Sequence, residues 1–327
     1  MLIPPLEWSA ALLGSRSSGL WGKARIDVRR FAGPAAYVDQ MTPLRIAHLT
    51  DLHVGRVTPY LVQREAVSLT NAQRPDLVVI TGDFVCHSQL YLDQLSEIMR
   101  SFSAPVVAVL GNHDYWAGAE EVTLALQRAG VEVLRNRNTC ITLRHQKLQL
   151  VGLDDAYTGH ARREDAIRGL RPHVPTLGLS HIAEEADGLW RHGVPLVLAG
   201  HTHGGQVTLA RLHELAMGKL AGHKYVHGLY GNRGAGHQGA VYVGAGIGAA
   251  VIPIRLGERG KREITVFELG CAPGAFEEHH AEQAALPGRR PSSRQQARRA
   301  AQVLLKRERR ARRRTSPLPV IAPDDEE

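Results

Sequence analysis

Cysteine is scarce in this chain: Cys86, Cys140 and Cys271 lie far apart, with no Cys-x-x-Cys pair. That excludes a disulfide framework and a structural zinc knuckle, and it points to a reducing compartment. Aromatic residues make up only 5% of the sequence, and no aromatic-rich basic groove for stacking bases is readable. No apolar run reaches the roughly 20 residues that a spanning helix needs. The opening MLIPPLEWSAALLG carries Glu7, lacks a basic cluster and is broken by Pro4 and Pro5. Neither a transmembrane nor an export segment is readable there. The expected location is the cytoplasm, with peripheral contact at the inner face of the membrane.

What is present is globular. The 327 residues are 43% hydrophobic and 22% charged, ordinary values for a chain that can bury a full core. The net charge of +8 is unevenly spread. Residues 289–314 hold twelve Lys or Arg against Glu308 alone, a local +11, and the last four residues contribute −4. The remainder is close to +1, so basicity belongs to the tail. The stretch SSRQQARRAAQVLLKRERRARRR has a serine helix start and an apolar patch, Val303-Leu304-Leu305. Such a segment is either a basic helix for anionic membranes or nucleic acid, or a solvated extension.

Residues 1–43 read as a leader with one alternating strand at Ala24–Arg29. From Leu44, strands alternate with helical patterns in TPYLVQREAVSLTNAQRPD, LYLDQLSEIMRSF and EEVTLALQRAG, which stop at Pro75, before Pro105 and at Gly130. Strand and helix in alternation argue for parallel βαβ units. After residue 130 short strands and Asn-rich turns suggest hairpins, and VPLVLAG, QVTLA, AVYVGAG and REITVFEL continue as strands. The expectation is one domain over residues 44–270, with two sheets face to face and helices outside, followed by a tail at 271–327 that takes no part in turnover.

Five short polar motifs each follow an apolar run: Asp51-Leu52-His53, Gly82-Asp83, Gly111-Asn112-His113-Asp114, Ser180-His181 and Gly200-His201-Thr202-His203. Carboxylate, imidazole and amide oxygen bind hard-to-borderline divalent metals. Strand ends would collect them along one sheet edge, with i and i+2 residues on a shared face. Seven such groups exceed one tetrahedral ion and suit two ions bridged by a carboxylate. Two divalent ions less Asp51, Asp83 and a bridging hydroxide leave about +1 for a phosphoryl group.

The series DLH, GD, GNHD, SH and GHTHGGQ resembles the calcineurin-like metallophosphoesterase superfamily. GHTHGGQV followed by YVHGLY, YVGAGIG and PIRLG is similar to its bacterial phosphodiesterases of the YkuE/YaeI type. The resemblance covers about residues 44–270 and implies a four-layer α/β/β/α sandwich of two mixed sheets, agreeing with the strand reading. It implies that Asp51, His53 and His203 hold one metal, that Asn112, His181 and His201 hold the other, and that Asp83 bridges. It also implies that His113 is no ligand but protonates the leaving oxygen, a role suited to imidazole. One departure stands out. The third residue after the bridging Asp, often an Asp or His that orients the catalytic histidine, is Cys86, followed by His87.

Other features are weighed beside these. Gly244-Ala-Gly246-Ile-Gly248 lacks a following helix and an acidic partner, so it reads as a close-packed turn rather than a dinucleotide loop. Asp154 and Asp155 fit a turn better than a substrate contact. Arg56 is a candidate phosphate grip or a solvated loop charge.

The expected activity is that of a dinuclear metal-dependent phosphodiesterase or pyrophosphatase, a phosphoric ester hydrolase. It would use Mn²⁺, Fe²⁺ or Zn²⁺ and attack in line with a metal-bridging hydroxide. Its expected substrate is a phosphate-ester small molecule or a lipid-linked nucleotide. The competing expectation is a nucleic-acid-binding nuclease or scaffold acting through the basic tail.

Overall fold

The computed structural model describes residues 26–205, 222–234, 239–249, 261–276, 278–279 and 281–315. Its strands are β1 (Ile26–Ala32), β2 (Leu44–Leu49), β3 (Leu77–Thr81), β4 (Val106–Val109), β5 (Glu132–Val133), β6 (Arg137–Leu143), β7 (Gln146–Gly152), β8 (Thr176–Leu179), β9 (Leu196–Ala199), β10 (Gly228–Gly231), β11 (Ala240–Val243) and β12 (Arg262–Leu269). The helices are α1 (Tyr60–Ala72), α2 (Leu92–Arg100), α3 (Asn112–Ala117), α4 (Ala119–Arg128), α5 (Arg163–Ile167), α6 (Ala186–Trp190) and α7 (Ser293–Thr315). They frame two six-stranded sheets, ordered β1-β12-β2-β3-β4-β5 and β10-β11-β9-β8-β7-β6.

Each strand of the central rows has two apolar faces, which is why it reads as a nearly unbroken hydrophobic run. Leu44 and Ile46 of β2, Leu77 and Val79 of β3, and Leu196 and Leu198 of β9 share the core between the sheets. Alternate residues Ala47, Val78 and Ile80 join the core beneath α1, α2 and α4. Val197 and Ala199 join the one beneath α5 and α6. Three apolar layers between four structural layers make the α/β/β/α sandwich, as expected. In α1 the buried stripe Val62, Ala66, Val67 and Thr70 follows the helical repeat.

Several details differ from the sequence reading. The second half is not mainly hairpins: β7, β8, β9 and β11 are parallel neighbours, and among the described residues of that sheet β6–β7 and β10–β11 pair antiparallel. The β6–β7 turn uses Arg144 and His145, both with positive φ, instead of the Asn or Gly that usually mark such a turn. REITVFEL returns to the first sheet, where β12 lies antiparallel to β2 and parallel to β1. The leader strand, expected at Ala24–Arg29, runs over Ile26–Ala32 at that sheet's edge. QVTLA, PIRLG and most of LARLHELAMGKLAGHKYVHGLY lie outside the described residues.

Candidate metal centre

All five motifs sit just past the C-terminal ends of parallel strands. Asp51 and His53 follow β2, Asp83 follows β3, Asn112 and His113 open α3 after β4, His181 follows β8, and His201 and His203 follow β9. Two sheets therefore deliver ligands to one edge, the position where open α/β sheets bind. The local reason differs from face-sharing along a strand. Asp51, His53, Asp83, His201 and His203 all have φ between 43° and 76°. Non-glycine residues adopt that left-handed region at a cost, and such strain gathers at functional sites. The turns, not strand pleating, aim these side chains.

The donors converge. His53 Nε2 and His203 Nε2 are 3.0 Å apart, and Asp51 Oδ1 lies 3.3 Å from the latter and 3.8 Å from the former. Asp83 Oδ2 is 3.6 Å from His53 Nε2 and 3.4 Å from His181 Nε2, so it faces both halves of the cluster. Ligand atoms of Asp51, His53, Asp83 and His203 all fall within 4.8 Å of one another. The rings of His181 and His201 are 5.1 Å apart.

Each carboxylate spends one oxygen on the protein. Asp51 Oδ2 accepts from Thr50 Oγ1 and from the His201 backbone N–H, and Asp83 Oδ1 accepts from the His113 N–H. Asp51 Oδ1, Asn112 Oδ1 and His181 Nε2 are buried with no hydrogen-bond partner. Buried polar atoms are rarely orphaned without cause. His181 Nδ1 bonds the Thr81 carbonyl at 2.7 Å, which as a donor fixes the tautomer and leaves Nε2 as a lone-pair donor. The donor set therefore fits divalent ions, and Asp51, His53, Asp83, Asn112, His181, His201 and His203 are the residues able to hold them.

Electrostatics agree with a site built for added positive charge. Burial pushes the His53 imidazole down to about 3 and holds His201 well below its usual value. His181 is raised to about 10: burial opposes protonation, but Asp83, Asp51 and Asp155 outweigh it. Burial alone would raise Asp83, yet His181, His113 and His53 hold it well below the carboxylate range.

His113 is buried beside this cluster, its ring 4.7 Å from that of His53. Its other neighbours are His87 at 4.2 Å and Trp116 at 4.7 Å. His87 reaches it through a local turn with φ 58°, and Cys86 offers its sulfur within 4.8 Å of donors on His53 and His113. Arg56 is exposed on the turn beyond His53. Asp154 accepts from Tyr115 Oη and Arg135 Nε, and Asp155 accepts from Tyr157 N, Thr158 N and Thr158 Oγ1. Asp155 thus serves a turn, as expected, whereas Asp154 joins Tyr115 to Arg135.

Several supporting residues escaped the sequence reading. Asp114, given no role by its motif, lies with His113 in α3. Its Oδ1 accepts from Phe84 and Val85 N–H, and its Oδ2 from Gly111 N–H at 2.9 Å. One carboxylate thus ties the Asp83 loop to the Asn112 turn, and its N3 position after Gly111 is the available signal. His223, bonded to Glu184, backs His201 at a ring distance of 5.4 Å. Close approach needs glycine: a Cβ on Gly82 would lie 2.6 Å from Gly111 N. The Gly244–Gly248 turn is indeed close-packed, with Ile247 and Gly248 N–H donating to the carbonyls of Thr50 and Asp51.

A two-sheet sandwich gathering carboxylate, imidazole and amide donors at strand ends defines a metallohydrolase class. The calcineurin-like phosphoesterase model matches residues 44–205. The phosphodiesterase YaeI of Escherichia coli K12 is 31% identical over 243 residues, covering 72% of this chain and 85% of its own. YkuE of Bacillus subtilis 168, an uncharacterized metallophosphoesterase, is 29% identical over 69% of this chain and 78% of its own. The chain belongs to the calcineurin-like phosphoesterase family and is a metal-dependent phosphoric ester hydrolase. Among solved structures, a 5'-nucleotidase precursor from Thermus thermophilus is similar at a TM-score of 0.46 and 13% identity, over 84% of this chain and 60% of that one.

Proposed function

We propose that the protein is a dinuclear phosphodiesterase or pyrophosphatase. Asp51, His53 and His203 would hold one ion, Asn112, His181 and His201 the other, with Asp83 between them. The observation that carries this reading is Asp83 Oδ2 lying 3.6 Å from His53 Nε2 and 3.4 Å from His181 Nε2, with Asp51 Oδ1 and Asn112 Oδ1 buried and unpartnered. When bound, the ions supply Lewis acidity at the phosphoryl oxygens and lower the pKa of water to make a nucleophile. The chain itself does the rest. Asp51 and Asp83 are oriented by Thr50 and by the backbone of His201 and His113. His113 holds the proton that the departing oxygen takes. Burial pushes that imidazole down to about 3, and the negative charge of an arriving phosphate raises it towards neutrality. Manganese, iron and zinc all suit the ligand set.

The test is a metal-reconstituted assay on bis(p-nitrophenyl) phosphate with metal content measured alongside. Two ions per chain and metal-dependent release of nitrophenol are expected, whereas a fully loaded protein inert on diesters, monoesters and diphosphates overturns the reading.

Among the described residues no helix is long and apolar enough to cross a membrane. The outward face of α7 exposes Leu304 and Leu305, at 59% and 53%, beside Arg309. Apolar and cationic residues on one exposed helix suit an anionic bilayer surface, so peripheral membrane contact from the cytoplasm is part of the proposal. Sedimentation with phosphatidylglycerol vesicles, compared with phosphatidylcholine vesicles, checks it. Tight binding to nucleic acid with a steep salt slope would instead favour the nuclease reading.

A further inference from the structure

Helix α7 was expected to stand apart from the site, and it does not. It packs against α3, the helix that begins with Asn112 and His113. Along 293–312, the described side chains that are partly covered are Arg299, Val303 and Lys306, with the rest exposed. The spacing i, i+4, i+7 places these three on one stripe of the helix. Val303 packs against the core cluster that includes Tyr115 and Ala117. Lys306 Nζ lies 3.9 Å from the ring centre of Trp116, and Arg299 Cζ lies 3.8 Å from that of Tyr157. Those two aromatic rings are 6.1 Å apart. Trp116 touches His113, and Tyr157 lies 5.1 Å from His201. The two cations of α7 thus lie one ring away from the metal centre, Lys306 through Trp116 to His113 and Arg299 through Tyr157 to His201. The Lys306 charge also acts on Cys86 and His87.

A helix held in place for packing alone would turn its leucines inward. Here the order is reversed: Leu304 and Leu305 are exposed, and the inward stripe is one valine between two cations. Charge flanks Val303 on the side of α7 that meets Trp116 and Tyr157. We propose that α7 forms a wall of the substrate cleft and that Arg299 and Lys306 bind anionic oxygens beside the scissile phosphoryl group, so that the enzyme favours substrates with a second negative charge next to that group, as in a diphosphate. The inference rests on the phosphoesterase reading of the centre. With two ions, two carboxylates and a hydroxide, the centre holds about +1, enough for a singly charged diester. Two more cations at the rim add positive charge that suits a doubly or triply charged group. Arginine forks onto phosphate oxygens and lysine supplies a point charge to them, both stronger contacts than an aromatic face provides.

The test uses the full chain with Arg299→Gln, Lys306→Gln and the double variant. Arg294→Gln, at an exposed position near the start of α7, is a charge-matched control. Binding of inorganic pyrophosphate is measured by calorimetry, and KM for bis(p-nitrophenyl) phosphate is measured beside it. The double variant is expected to bind pyrophosphate at least tenfold more weakly, with a smaller dependence on salt, while KM for the singly charged diester rises two- to threefold. The control stays within twofold, and Lys306→Arg restores most of the affinity. Unchanged pyrophosphate affinity in the double variant overturns the proposal. So does faster diester turnover in the variants, which would mark α7 as a cover that blocks the site. If the wild-type protein binds pyrophosphate and loses it with the variants but hydrolyses nothing, the anion site stands and the phosphoesterase reading fails. If diester hydrolysis is normal and pyrophosphate binding is indifferent to both residues, only this inference fails.

Discussion

The Nε2 atoms of His53 and His203 face each other at 3.0 Å, their rings stacked 19° from parallel with centroids 4.8 Å apart. Both rings are buried, and burial keeps His53 uncharged. A separation near 3 Å is the edge expected when two imidazoles share an ion at roughly 2.0–2.1 Å each. His203→Ala should therefore lose metal together with turnover, and Asp83→Asn should do the same from the middle of the cluster. Metal analysis after gel filtration checks this. An Asp83→Asn protein with full activity would overturn the proposed bridging role of this carboxylate.

His113→Ala should behave differently. The ring neighbours His53, but its backbone N–H, not its side chain, holds Asp83. Metal content should stay at the wild-type level while kcat falls roughly 10²- to 10⁴-fold, the usual range for a lost proton donor. A substrate whose leaving group needs no proton, such as a nitrophenolate ester, should be less affected. An equal loss on good and poor leaving groups would contradict a proton-donating role.

Metal removal should register in stability as well as rate. Unpartnered buried donors gain their partners only when ions bind, and ligand at 100 times Kd adds about 2.7 kcal/mol. Chelator should lower the Tm by several degrees, and Mn²⁺ should restore both Tm and turnover. Recovery with Mg²⁺ alone, transition metals being absent, would argue against an imidazole-rich centre.

How much of this was legible in the sequence depends on range. The helices α1, α2 and α4 carry apolar stripes long enough to show a 3.6-residue repeat, and the five motifs name the donors by residue type. The six residues of α3 are too few to show periodicity, so Asn112 and His113 read as a strand end. Positive φ at Asp51, His53, Asp83, His201 and His203 leaves no mark in composition, and turns rather than the expected strand pleat aim these side chains. The docking of α7 was hidden because its inward stripe is charged where an amphipathic pattern would be apolar. Arg29 and Glu263 are 234 positions apart, beyond any local signal.

The turn at Gly246 gives a sharper check on positioning. Its φ is +77°, and a Cβ there would lie 2.7 Å from Asp51 Cβ. Gly246→Ala should cost about 1–2 kcal/mol from the left-handed backbone alone and push Asp51 off its ligand position. Weaker metal binding with a native circular dichroism spectrum is the expected signature. Normal metal affinity in that variant would mean that the Asp51 turn is held elsewhere, by Thr50 and Gly82.

Glu263 holds the other side of the same turn. It accepts from Ala245 N–H at 2.9 Å and from Tyr242 Oη at 2.9 Å, and it pairs with Arg29 and His227, all buried. Burial alone would raise this carboxyl, but His227 and Arg29 outweigh it and hold it far below its ordinary 4.5. A depressed carboxylate contributes stability that is complete above the unfolded value and is lost as pH falls through the folded one. Nearby His48 works in the same direction: burial lowers it from 6.5 to about 3, so below pH 6.5 the unfolded chain takes up a proton that the fold refuses. Each such group makes stability fall by up to about 1.4 kcal/mol per pH unit within its window. The contribution of these two groups should therefore be constant above about pH 7, decline from 6.5, and decline more steeply below 4.5. Glu263→Gln removes the partner of a buried guanidinium and should cost roughly 3–5 kcal/mol at pH 7. Urea denaturation of both proteins from pH 3.5 to 8 tests the sign, because their stability gap should narrow below pH 4.5. A gap that stays constant across that range would mean that the Glu263 charge does not support the fold.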